Sequence, residues 1–276
     1  MRAHRGLETL PDPRPMVPPD RLHLLIAFAA AFLAGAINSV AGGGTMITFP
    51  VLIALGLPPI AANATNTVGI WPGSLGSIWG FRRELAGIPR RVMGLLIPAL
   101  AGGAAGAMLL RMTPAGVFDR LIPWLILFAT ALFILQGPIQ RKLKSVAAAK
   151  EAGPGWMASA VAAQVAVATY GGYFGAGMSI MMLSVLGILG MTDILEMSAM
   201  TSLLALCING IAGLIFAEAR LVAWPYVLSM AFGAVAGGYG AAGVARRIGR
   251  AHVRRFVIFV GMAIAVAMFA RLAGRG

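Results

Sequence analysis

Charge is confined to a few short places along this chain, and the stretches between them are almost wholly apolar. Residues 22–81, 92–110, 121–140, 152–192, 197–217, 221–245 and 256–270 contain no Lys, Arg, Asp or Glu. Each run is near or above the roughly 20 residues that span a bilayer as a helix. The pattern therefore predicts an all-α polytopic integral membrane protein. In chain order it gives a first helix over 22–40, a short helical piece over 46–55, and spans over 63–80, 92–110 and 117–136. A basic connection over 137–155, with Arg141, Lys142, Lys144 and Lys150, divides this first repeat (22–136) from a second (156–276). Residues 1–21, with five prolines and charges of both signs, are expected to be a mobile tail.

One place inside the apolar pattern cannot be regular helix. The stretch Asn38-Ser39-Val40-Ala41-Gly42-Gly43-Gly44-Thr45 sits in the charge-free run 22–81, where an unbroken span would otherwise be expected. In hydrocarbon every backbone N–H and C=O needs an internal partner, so three consecutive glycines there require protein or a water-filled cavity around them. Broken helices at membrane depth, flanked by polar side chains, are how transporters build binding sites. Gly56-Leu57-Pro58-Pro59 ends the short piece that follows, since proline lacks the N–H to continue a helix.

The pattern recurs after residue 155. Gly175-Ala176-Gly177 follows Gly42–Gly44 at nearly the same offset as Thr201-Ser202 follows Thr65-Asn66, Pro225 follows Pro89 and Gly237-Gly238 follows Gly102-Gly103. Ordered matches of this kind indicate duplication, giving two homologous halves of about four hydrophobic segments, each beginning with a glycine-broken helix. The basic connection lies after Phe81 in the first half and at 246–255 in the second, one connection later. With basic loops cytoplasmic, this displacement favours inverted repeats, in which each broken segment enters and leaves on one side. Arginines near both termini favour the alternative of parallel halves.

Composition narrows the function classes. Hydrophobic residues make up 59% of the chain and charged residues 11%, against roughly 25% charged in soluble domains. The net charge of +13 resides in the connections, which points to membrane topology and not to nucleic acid. Histidines stand only at positions 4, 23 and 252, so the base or ligands of a Ser-His or metal-dependent intramembrane hydrolase are missing, as is any phosphate-binding G-x-x-x-x-G-K-[ST] loop. The expectation is a chain without catalysis, metal or cofactor. Cys207 is the single cysteine, so no internal disulfide exists.

The candidate substrate-binding residues are Asn38, Gly42, Gly43, Gly44 and Thr45 at the first break and Gly175 and Gly177 at the second. Thr65 and Asn66, with Thr201 and Ser202, are read as opening the spans after each break, either as helix caps or as donors to an anion at a helix N-terminus. Arg82 and Arg83 are expected to anchor the chain at the headgroups and to draw anions toward the cavity. The glycines at 102–106 and 237–240 are expected to let helices pack closely.

The residues 35–44, Gly-Ala-Ile-Asn-Ser-Val-Ala-Gly-Gly-Gly, then Leu57-Pro58-Pro59, Ala64-Thr65-Asn66 and Arg82-Arg83, together resemble the TauE/SafE sulfite exporter family. The resemblance implies a duplicated unit and movement of small anions, such as sulfite, sulfonates or related sulfur or carboxylate compounds, across the cell (inner) membrane. Asn38 stands where many such proteins show an Asp, which weighs against carboxylate-based coupling. The implied function is secondary transport of a small anion, with protons or ions as candidate coupling partners and the lipid bilayer as surroundings. A non-transporting membrane subunit and an anion channel are the alternatives.

Overall fold

The computed structural model describes residues 19–38, 43–147, 154–240 and 250–273. Among them it contains helices and no strand. The order is α1 (Arg21–Asn38), α2 (Thr45–Ala54), α3 (Pro59–Gly80), α4 (Arg82–Gly87), α5 (Arg90–Met93), α6 (Leu96–Met112), α7 (Ala115–Ala147), α8 (Pro154–Tyr173), α9 (Met178–Ile188), α10 (Ile194–Glu218), α11 (Trp224–Gly240) and α12 (Arg250–Ala273). Among the described residues, four stretches are long and apolar enough to cross a membrane: Arg21–Asn38, Arg90–Met112, Ala115–Pro138 and Ile194–Glu218.

Most expected boundaries hold to within a few residues, with two informative exceptions. The connection expected over 137–155 is helical through Ala147, because α7 continues past Pro138. The third helix starts at Pro59 and not near Asn63. Pro58 ends the extended entry, and Pro59 occupies the first helical turn, where a missing N–H costs nothing.

The helices show two kinds of face. On α1 the buried positions are Ala27, Ala30, Ala31, Ala34, Gly35, Ala36 and Ile37, while Leu22, Leu25, Ile26 and Leu33 are exposed. On α7 the buried positions Phe118, Ile122, Ile126, Ala129 and Phe133 recur every three or four residues, and Trp124, Phe128 and Ile134 point outward. The small-residue face of α1 and the larger one of α7 both suit a lipid solvent, which gives no hydrophobic drive to helix association and leaves close packing to decide it.

Glycine makes the closest of these contacts. A Cβ on Gly237 would collide with the Phe32 carbonyl, and one on Gly233 with the Phe28 carbonyl. The pairs 28 with 233 and 32 with 237 advance together, so α1 and α11 run parallel at backbone contact. Between α6 and α8 the same thing happens: a Cβ on Gly102 would lie 2.6 Å from the Val165 carbonyl, and one on Gly106 would strike that of Thr169. The expectation of packing glycines at 102–106 and 237–240 is met by the described residues.

Helix α3 also runs parallel to α11, with Gly69 against Met230, Gly73 against Ala234 and Gly76 against Tyr239. Against α10 it runs the other way. The Trp71 indole N–H donates to the Leu206 carbonyl at 3.0 Å and also faces Gly210, while Val68 faces Gly213. Helices α7 and α12 are likewise antiparallel, with Trp124 on Phe269 at 5.2 Å and Thr130 against Gly261. Only residues 55–58 separate α2 from α3, so α2 lies antiparallel to it, and hence to α1. The first broken segment is thus a hairpin. The C-terminal ends of α1, α3 and α11 gather at one end of the molecule.

Candidate functional site

Each break is built by glycines in conformations that other residues rarely adopt. Gly43 has φ +97°, Gly175 φ +79° and Gly177 φ +77°, the left-handed region in which a Cβ clashes with the backbone. At the first break the Asn38 side chain closes the turn, its Oδ1 accepting the Gly44 N–H at 2.8 Å. At the second break the Tyr170 hydroxyl donates to the Ala176 carbonyl at 2.6 Å. Both devices satisfy backbone groups that the interrupted helix leaves open.

The middle of α7 stands behind both breaks. A Cβ on Gly43 would run into the Phe133 ring, and one on Gly177 would lie 3.2 Å from Leu132 and 3.6 Å from the Ala129 backbone. Helix α7 therefore fixes how far each loop can recede.

In front of the breaks lies one cavity of about 750 Å³. Asn38, Gly43 and Thr45 line it from the first break, and Gly175, Gly177 and Ser179 from the second. Thr201, Ser202 and Asn209 of α10 form a further wall. The short helices α2 and α9 thus begin at the cavity, where carbonyls of the breaks engage part of each first turn: the Met46 and Ile47 N–H groups donate to the Gly43 and Gly44 carbonyls at 3.0 Å, and those of Met178 and Ile180 to Gly175 and Gly177 at 3.2 and 3.0 Å. Thr201 is 6% exposed, and its buried hydroxyl has no hydrogen-bond partner. Ser202 instead donates back to the Ser198 carbonyl at 2.9 Å.

Helix α3 is divided along its length. Pro72, Ser74, Ser77 and Gly80 line the cavity, up to Phe81 at its end. Its first third is sealed: Ala62, Asn63, Ala64, Thr65 and Asn66 are buried at 1% exposure or less. There the Thr48 hydroxyl bridges the Gly44 carbonyl (3.1 Å) and Asn66 Oδ1, and the Asn63 amide donates to the Tyr173 carbonyl at 2.9 Å. Phe49 meets Phe174 edge-on at 5.3 Å in the same layer.

Several sequence expectations change accordingly. Thr65 and Asn66 do not line the cavity: Thr65 Oγ1 accepts the Ala223 N–H at 2.9 Å, and Asn66 is held by Thr48. Nor do these residues or Thr201 and Ser202 open helices. Pro59 places Thr65 beyond the first turn of α3, and Asp193 caps α10 by accepting the Leu195 and Glu196 N–H groups at 2.7 and 3.2 Å, leaving Thr201 two turns in. The N-termini that do meet the cavity belong to α2 and α9. Gly44 faces Ala34 and Asn38 and does not line the cavity. Gly42 lies outside the described residues. Arg82 and Arg83 are exposed just past the cavity's edge at Phe81, with the Arg82 guanidinium folded over the Trp79 ring at 5.1 Å and donating to the Trp79 carbonyl at 2.9 Å. Phe133, Ser74, Ser77 and Tyr239 were missed as cavity residues. The small and polar run from Pro72 to Ser77 inside an apolar span was a usable signal, whereas Phe133 is one aromatic among many.

Cavity, breaks and lipid-facing exterior together describe a membrane protein with a central chamber, and a family model for the sulfite exporter TauE/SafE matches residues 27–268. The chain belongs to the TauE/SafE sulfite exporter family. TauE/SafE proteins are membrane transporters and not enzymes. Among curated relatives, a "Probable membrane transporter protein" of Haemophilus influenzae is 36% identical over 115 residues, 42% of this chain and 45% of that one. A "Probable membrane transporter protein ORF9" of a Sinorhizobium species is 37% identical over 113 residues, covering 40% and 42%. The "Probable membrane transporter protein YfcA" of Escherichia coli K12 is 33% identical over 115 residues, covering 41% and 42%. The chain thus spans less than half the length of each relative it matches. No solved structure matches this TauE/SafE chain.

Proposed function

We propose that this protein is a secondary transporter of a small anion, sulfite, a sulfonate or a related sulfur-containing or carboxylate anion, held in the cavity where the two helix breaks meet. The observation that carries the reading is the convergence of both breaks on one chamber. Helix packing alone asks for no cavity there, whereas an anion site needs polar side chains and helix N-termini, and both meet at the chamber. The chamber is sealed by the layer of Phe49, Asn66 and Phe174 and reaches toward the ends of α3 and α11, which favours a carrier with one access side at a time over a channel open at both.

The same contacts support inverted halves. Thr65 and Thr201 occupy matching sequence positions on α3 and α10, and these two helices run antiparallel, as matching helices of inverted repeats must and those of parallel repeats must not. The first helix of each half then packs on a late helix of the other, α1 on α11 and α8 on α6. With Arg82, Arg83, Arg90 and Arg91 on the cytoplasmic side of a cell (inner) membrane, the chamber in this structure faces the cytoplasm.

Proteoliposomes test the function directly. Preloaded with unlabelled sulfite or a sulfonate, they should take up labelled anion by saturable counterflow, and Gly43→Val, which drives a side chain into Phe133, should abolish it while Gly116→Ala, which meets open space, should not. Equal counterflow by both variants, or none by the parent chain, would defeat the reading.

A further inference from the structure

Resting on the anion-carrier reading, we infer that the site selects its substrate by charge state: it accepts an oxyanion bearing one negative charge and refuses the dianion of similar shape. The argument starts from what the chamber contains. No Lys, Arg, His, Asp or Glu lines it among the described residues. Its polar side chains are amides and hydroxyls: Asn38, Thr45, Ser179, Thr201, Ser202 and Asn209 around the breaks, with Ser74, Ser77 and Tyr239 farther along. The nearest basic side chain by sequence, Arg82, is exposed at the rim and engaged with the ring and carbonyl of Trp79.

Positive potential inside the chamber therefore comes from helix ends. Helices α2 and α9, of 10 and 11 residues, both begin at it. Each helix N-terminus acts as roughly half a positive charge, so the pair supplies about one. That matches a monoanion. A dianion would bring a second charge with no counterpart among the groups that line the chamber, and an uncompensated charge drawn out of bulk water costs more than a neutral hydrogen bond returns.

An independent feature marks the same place for a ligand. Thr201 lines the chamber, is more than nine-tenths buried and leaves its hydroxyl without a partner, although a hydroxyl in a helix ordinarily bonds back to the preceding turn, as Ser198 and Ser202 on the same helix do. A hydroxyl left open beside two helix N-termini completes a cage of neutral donors. The consequence for a weak acid is that its proton travels with it: a polybasic anion is carried in its partly protonated form, and no side chain of the chamber has to titrate.

The test compares anions that differ by one charge. Purified protein in lipid nanodiscs is titrated with methanesulfonate and with sulfate, and binding is read from thermal stabilisation. Methanesulfonate should bind at least roughly tenfold more tightly than sulfate. With phosphate, apparent affinity should fall as rising pH converts dihydrogen phosphate to hydrogen phosphate, while that of methanesulfonate stays level over the same range. Sulfate binding as tightly as methanesulfonate, or phosphate affinity that rises with pH, would overturn the charge filter alone. Failure of every anion to bind would overturn the anion-carrier reading and the filter with it.

Discussion

Thr65 and Thr201 show how far residue type is from residue role. They share a place in the repeat and are both almost fully buried, yet Thr65 Oγ1 holds the Ala223 N–H whereas Thr201 Oγ1 holds nothing. Replacement by Val should separate them. Thr65→Val strands a buried N–H and should cost about 1–3 kcal/mol of stability, seen as a lower unfolding temperature with anion affinity unchanged. Thr201→Val loses no internal bond, so its unfolding temperature should hold while affinity for a monoanionic sulfonate falls roughly tenfold, as expected for a lost hydrogen bond to a charged group. Similar behaviour of the two variants in both measurements would mean that Thr201 is another packing residue. Nothing local in the sequence distinguishes the two hydroxyls. The partner of Thr65 is distant in the chain, and only the fold brings it near.

At the scale of elements, the helix contacts divide into those made by glycine and those made by larger side chains, and the first kind has no slack. Gly237→Val would push α11 off the Phe32 carbonyl and should cost about 3 kcal/mol or more as overpacking against backbone, reducing the yield of folded protein in size-exclusion profiles. Gly116→Ala should leave the profile unchanged, because a Cβ there meets nothing. The helices themselves were legible. Charge-free runs marked the long apolar helices, though not the short α4 and α5; Gly42–Gly44 and Gly175–Gly177 stood out as interruptions, and Pro58-Pro59 ended the short piece. The direction of one helix past another was not legible, since residues such as Val68 and Gly213 carry no mark of their pairing. Thr65 and Thr201 resemble helix caps in sequence, yet Pro59 and Asp193, which set the starts of α3 and α10, stand about two turns earlier.

For the whole molecule, the antiparallel course of α3 and α10 has a consequence that labelling can read. In a Cys207→Ala background, single cysteines at Ala86 and Glu218, both exposed, follow matching helices of the two halves. Inverted halves put them on opposite sides of the membrane, so an impermeant thiol reagent applied outside intact cells should label Glu218→Cys and spare Ala86→Cys. Labelling of both from one side would leave parallel halves. The same orientation predicts that a cysteine at Ser77, which lines the chamber, is reached from the cytoplasm.

The backbone contact between α1 and α11 also bears on how the protein is made. A ribosome delivers α1 early, with the small-residue face of Ala27, Ala31, Ala34 and Gly35 bare, and the strip of Phe28 and Phe32 carbonyls that receives Gly233 and Gly237 stays vacant until Trp224 and the residues after it have been synthesised. For most of translation the nascent chain holds an unfinished seam in the bilayer. Chains terminated within residues 148–153 should accordingly be short-lived in a pulse-chase experiment, and expressing the remaining segment in the same cell should lengthen their lifetime by supplying the missing helix.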